Sequence, residues 1–138
     1  MKRLYVLDAC ALIAFLNDEP GADRVERIFC ESVSDNIQLL MHKINLLEIY
    51  YGTYRVKGKI IADEMLKSVK RLPILVEDSL EDPIFFESAR LKATYKISLA
   101  DAIALALTIT RKASIVTADH HEFDKIENNE TLSFEWIR

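Results

Sequence analysis

Three acidic residues are surrounded by apolar neighbours, and a fourth closely follows an apolar run. Asp8 ends the run Leu4-Tyr5-Val6-Leu7. Glu48 is the only acid in Ile44-Asn45-Leu46-Leu47-Glu48-Ile49-Tyr50-Tyr51-Gly52, and Asp101 sits within Ser98-Leu99-Ala100-Asp101-Ala102-Ile103-Ala104-Leu105-Ala106. Asp119 lies two residues beyond Ser114-Ile115-Val116-Thr117. A carboxylate in apolar surroundings has to be paired, neutralised or bound to a cation. Several that converge repel one another, and some protonate unless a cation joins them. Oxygen donors without a paired Cys/His set suit Mg²⁺ or Mn²⁺ rather than zinc. An ion so held polarises a phosphodiester, activates water and stabilises the leaving oxygen; the residues leave open whether there is one ion or two.

Each acid also has a plainer use. Asp8 suits the cap of a helix beginning near Cys10, and Ser98 with Asp101 reads as a capping box. Glu48 alone fits a solvated helix face, and Asp119 alone fits a surface turn. What distinguishes them is where the elements put them together. Short apolar runs predict strands over 4–7, 39–41, 72–76, 114–117 and 132–137, with Pro73 at a strand start or sheet edge. Helical spacing predicts helices over 11–16, 22–32, 44–55, 60–71, 84–95 and 99–111. Strands alternating with helices imply an α/β fold, a parallel sheet covered on both faces. In such sheets, sites gather beyond the carboxyl ends of the strands. Asp8 and Asp119 should therefore emerge on the same sheet edge.

At 138 residues the chain has the length of one domain, 1–138, and its 50% apolar and 29% charged residues suit a soluble globular protein. Cys10 and Cys30 are too few for a disulfide framework and suit a reducing cytosol. The start, Met1-Lys2-Arg3 and the apolar stretch to Leu16, imitates a secretory signal, but Asp8 interrupts it and no cleavage site follows. No stretch reaches the ~18 apolar residues of a membrane span, so a cytoplasmic location without membrane partners is expected. The net charge of −4 hides an asymmetry: residues 43–71 hold seven basic and three acidic side chains, a stripe that suits a phosphate backbone, although a solvated helical face accounts for any single lysine more readily.

Taken together, Tyr5-Val6-Leu7-Asp8-Ala9-Cys10-Ala11-Leu12-Ile13, Asn45 to Gly52, Leu99 to Ala106 and Ile115-Val116-Thr117-Ala118-Asp119 resemble the PIN-domain nucleases. More specifically, they resemble the VapC-like toxins of bacterial and archaeal toxin–antitoxin pairs. The resemblance implies a three-layer α/β/α sandwich with a central, mostly parallel sheet of four to five strands. It also implies a Mg²⁺- or Mn²⁺-dependent endoribonuclease, a homodimer neutralised by a small antitoxin protein. Asp8 and Asp101 then become the core metal ligands, Glu48 a third ligand or a positioner of water, and Asp119 the fourth acid. Thr117 matches a small hydroxyl residue near the site. The departure is Cys10, where the family commonly has Ser, Thr or Asn, because a thiol is a weak hydrogen-bonding group. A non-catalytic PIN-fold module binding RNA or protein, and a nuclease acting on DNA, are the alternative readings.

Other signals carry less. Asp8-Ala9-Cys10 lacks the second carboxylate of a haloacid-dehalogenase-type phosphatase, and no adjacent acid pair of a receiver domain follows the first strand. Nothing local pairs Cys10 as nucleophile with His42, His120 or His121. His120 and His121, which follow Asp119 and are placed to touch substrate, read first as solvated loop residues; Glu122 and Asp124, near the cleft and able to add negative charge to it, read first as surface. Tyr50, Tyr51 and Tyr54 suit base stacking, but core or dimer packing is the better account of at least two of them.

Overall fold

The computed structural model of the protein describes residues 2–34 and 36–138. Strands and helices follow as β1 (Arg3–Leu7), α1 (Ala9–Leu16), α2 (Ala22–Val33), β2 (Ile37–His42), α3 (Lys43–Lys57) and α4 (Lys59–Lys70). After these come β3 (Leu75–Glu77), α5 (Ile84–Thr94), α6 (Leu99–Thr110), β4 (Ser114–Thr117), α7 (His120–Asn129) and β5 (Ser133–Trp136). The strands form one sheet in the order β3-β2-β1-β4-β5, and every neighbouring pair is parallel. This is the expected α/β/α sandwich, with five strands and no antiparallel member.

The period-two alternation of the strands sorts the core into two layers. Leu7, Leu39, Met41 and Val116 pack with Leu12, Val25, Phe29, Leu46, Ile49 and Val69, so α1 to α4 cover one face. Val6, Leu40 and Ile115 pack with Leu91, Leu105, Leu107, Phe123 and Ile126, so α5 to α7 cover the other. Parallel strands buried on both faces read as continuous apolar runs, as β1, β2 and β4 do. No helix among the described residues is long and apolar enough to cross a membrane.

Two elements differ from expectation. The third strand begins later, at Leu75, because a tight turn from the Ile74 N–H to the Leu72 carbonyl, 2.7 Å, takes up Pro73. Residues 120–129, expected as loop, form α7. Its only buried side chains are Phe123 and Ile126, three residues apart. Asp119 caps this helix, its Oδ1 accepting from the Glu122 N–H at 3.1 Å. His120 therefore stands in a helical turn, between the Asp124 carboxylate and the Arg138 carbonyl, stacked on Trp136 at 3.8 Å.

Candidate functional site

The sheet order makes β1 and β4 neighbours that run into helices on opposite faces: β1 leads to α1, and β4 to α7. Beyond the carboxyl ends of two such strands a crevice opens, where α/β sheets hold their ligands. Asp8 follows β1 directly, its N–H donating to the Val116 carbonyl at 3.3 Å. The Asp8 Oδ1 caps α1 by accepting from the Ala11 N–H at 2.8 Å. Thr117, fully buried at the end of β4, joins the two strand-end acids. Its hydroxyl hydrogen-bonds the Asp8 carboxylate and accepts from the Asp119 N–H at 3.1 Å. Capping and clustering are thus one arrangement, in which the acids lie against the positive ends of helices.

Asp101 enters from α6. Ser98 caps that helix, its Oγ accepting from the Asp101 N–H at 3.1 Å, which sets the carboxylate in the first turn. Glu48 enters from α3, which His42 caps by accepting from the Ile44 N–H. Asn45, one turn before Glu48 and on the same helix face, is fully buried, and neither amide atom has a hydrogen-bond partner.

A cavity of about 700 Å³ is lined by Glu48, Asp101, Asp119, Glu122 and Glu19, together with Ala9, Cys10 and Ser98. Asp8, 2% exposed, stands directly before two of these lining residues. Burial pushes the Asp8 carboxyl up to about 7, against the hydrogen bonds from Thr117 and Ala11 and with added repulsion from Asp101 and Asp119. Asp101 rises to about 6, again through burial first, opposed by Ser98 and reinforced by Glu48, Asp119 and Glu122. Burial also raises Glu48. This mutual repulsion follows from the shared cavity of these acids, and it is the electrostatic setting that a cation relieves. Among the described residues, no group of three or more His, Cys, Asp or Glu stands close enough to hold a metal ion directly. Mg²⁺ makes no such demand, since it commonly takes one or two carboxylates and keeps several waters.

Several residues sit otherwise than expected. Glu122, read first as surface but near enough to the cleft to add charge, does line the cavity, as does Glu19, which the sequence did not single out. The basic residues of 43–71 do not; Lys59 pairs with Asp63, and Lys57 lines a separate groove with Ile61 and Glu64. The cations of the cavity are Lys92 and Lys96, which nothing in the local sequence marked out. Tyr50, Tyr51 and Tyr54 lie elsewhere on α3, Tyr50 donating to Asp63 and Tyr51 lying under the Arg55 guanidinium. Cys10 is half-buried in the cavity lining. Burial, then the Asp8 charge, pushes its thiol up to about 11, which leaves it protonated at neutral pH and a poor nucleophile. Alkylation with iodoacetamide at pH 7, followed by peptide mapping, should label the exposed Cys30 first. Cys10 should react about a hundredfold more slowly than an unperturbed cysteine, because its thiolate fraction is lower by roughly that factor. Equal labelling of the two would contradict the burial argument.

A family model described as PIN domain matches residues 5–129. No curated protein matches the chain. Among solved structures, VapBC2 from Rickettsia felis, bound to a DNA fragment from its promoter, is 22% identical over 96% of this chain and 97% of that one, with a TM-score of 0.73. DNA-bound VapBC from Salmonella typhimurium is 16% identical over the whole of both chains, also at 0.73. VapBC-1 from nontypeable Haemophilus influenzae is 19% identical over 97% of this chain and 98% of that one, at 0.72. At these identities the likeness is one of fold.

Proposed function

The chain belongs to the PIN domain family, and from that premise we propose that it is a divalent-cation-dependent endoribonuclease, the toxin of a toxin–antitoxin pair. The observation that carries this reading is the meeting of Asp101, Glu48 and Asp119 on one cavity beside buried Asp8, at the switch point of the sheet. The structural likeness to VapBC and toxin–antitoxin complexes supports the toxin context with a small antitoxin protein as partner; a second copy of the chain and a reducing cytoplasm complete the reading. Residues 1–138 act as one catalytic domain.

Asp8 and Asp101 would hold Mg²⁺ or Mn²⁺, with Glu48 and Asp119 completing the cluster directly or through water. When bound, the cation polarises the phosphodiester and lowers the pKa of water at the site. The chain does the positioning. Thr117 orients Asp8, and Ser98 orients Asp101. The caps of α1 and α7 keep the strand-end acids in place without side-chain freedom. Glu48, half-buried and raised by that burial, orients the attacking water. Purified protein should cleave single-stranded RNA in Mg²⁺ or Mn²⁺, stop in EDTA, resume when the ion is restored, and leave a matched DNA strand intact. Cleavage that continues in EDTA would overturn the metal assignment, and preferential cleavage of DNA the substrate assignment.

A further inference from the structure

We infer that Lys92 and Lys96 grip the phosphates that flank the cleaved bond of a single-stranded RNA, an assignment that rests on the nuclease reading of the adjoining acids. The cavity is lined by five carboxylates, and these two lysines are its only cationic lining residues among those described. A polyanion approaching such a surface is repelled. One or two divalent ions offset that repulsion at the reacting phosphate but not at its neighbours, where phosphate contacts made by protein cations set the register of the strand. Lysine suits this use because it engages phosphate as a point charge from a long, mobile stem.

The pattern of pairing supports the assignment. Arg90, two residues before Lys92 on the same helix, is held by Glu87 at 2.5 Å and Glu130 at 2.6 Å. Lys59, Arg24 and Arg111 are likewise paired with Asp63, Glu135 and Glu77. Lys92 and Lys96 have no ion pair or hydrogen bond among the described residues, although they line a cavity with five acids. Their placement is also fixed from both sides. Lys92 lies in the last turn of α5, and Lys96 lies two residues before Ser98, whose cap sets Asp101. The segment that positions a carboxylate of the site therefore positions both cations. On this basis the strand crosses the α5–α6 connection on its way into the acidic cavity.

The test is the salt dependence of binding of a fluorescein-labelled single-stranded RNA oligonucleotide, read by anisotropy in Mg²⁺. All chains carry Asp101→Asn to prevent turnover. Loss of two phosphate contacts should flatten the slope of log K against log salt by about 1.4, at ~0.7 per contact on a single strand. Lys92→Gln/Lys96→Gln should show this change. The charge-matched Lys67→Gln/Lys70→Gln, on α4 and away from the cavity, should not. Lys92→Arg/Lys96→Arg should restore the slope, which a purely structural defect would not allow. In chains with Asp101 intact, the Gln pair should raise KM about tenfold with little change in kcat, the signature of lost binding common to ground and transition states. Equal slopes for the cavity pair and the parent, or an equal loss from the α4 pair, would overturn the inference while leaving the nuclease reading untouched. RNA bound with the expected slope change but not cleaved by the parent would sink the nuclease reading alone. Failure to bind RNA at all would remove both.

Discussion

Asp8→Asn should lose cleavage by at least about a thousandfold, the scale on which transition-state electrostatics is removed, while melting at a higher temperature than the parent in EDTA at pH 8. The two effects have one cause. Asp8 is buried beside Asp101 and Asp119, and its carboxyl is pushed up to about 7 from an ordinary 3.8. A carboxyl whose folded value lies above its unfolded value stabilises the fold fully only below the unfolded value, and that stability is lost as pH rises through the folded one. The metal-free parent should therefore weaken between about pH 4 and pH 7. Asn keeps an oxygen for the Ala11 N–H but carries no charge, so the weakening should shrink and the melting point at pH 8 should rise by about 5 °C. Mn²⁺ should raise the parent's melting point through linkage, by the equivalent of ~2.7 kcal/mol at a hundred times its dissociation constant, and raise the variant's much less. Asp101→Asn should lose activity equally and gain less stability, since Asp101 is displaced only to about 6. Thermal scans across pH with EDTA or Mn²⁺, beside a gel assay of cleavage, read all of this. A variant that cuts RNA, or that melts lower than the parent without metal, would mean that Asp8 is an ordinary cap.

Gly21→Ala should destabilise the protein by about 3 kcal/mol, roughly 10 °C in melting temperature. Gly21 precedes α2 with φ +98°, in the left-handed region that side chains disfavour. A Cβ placed there would meet the Ile137 carbonyl oxygen at 2.8 Å and the Ile137 Cγ1 at 2.9 Å. Ile137 cannot simply retreat, because its N–H donates to the Thr117 carbonyl at 3.0 Å, and Thr117 orients Asp8. Gly58→Ala is the internal contrast: φ there is +89°, but nothing lies within 4 Å of the added Cβ. With ψ 171° Gly58 lies in an extended, positive-φ region open almost only to glycine, so this variant should lose about 1–3 kcal/mol through backbone strain alone. Urea unfolding midpoints for the two variants separate strain from steric conflict. A loss at Gly21 no larger than the ~1–2 kcal/mol of left-handed strain would show that the Ile137 contact carries no energy.

Much of the fold is legible along the chain because its signals are local. The apolar run ending at Asp8, the Ser98 cap and the helical spacing of Val25, Ile28 and Phe29 each report an element within a few residues. Alternation of strands and helices then implies a parallel sheet, and a parallel sheet brings strand ends to one edge, which is why Asp8 and Asp119 could be paired in advance. α7 escaped because two apolar anchors, Phe123 and Ile126, are too few to establish a period in a polar segment. Its cap, Asp119, was visible only as a turn.

The amino-acid order alone therefore determined the alternation of elements and the acids that the strand ends present. Which other charges join those acids was decided only in three dimensions. The conspicuous basic run of 43–71 went to other surfaces, whereas Lys92, Lys96 and Glu19, unremarkable where they stand, joined Glu122 at the cavity. The physical reason is one of range: propensity and periodicity act over a few residues, but the membership of a cavity depends on crossovers that join β1 to β4 across more than a hundred.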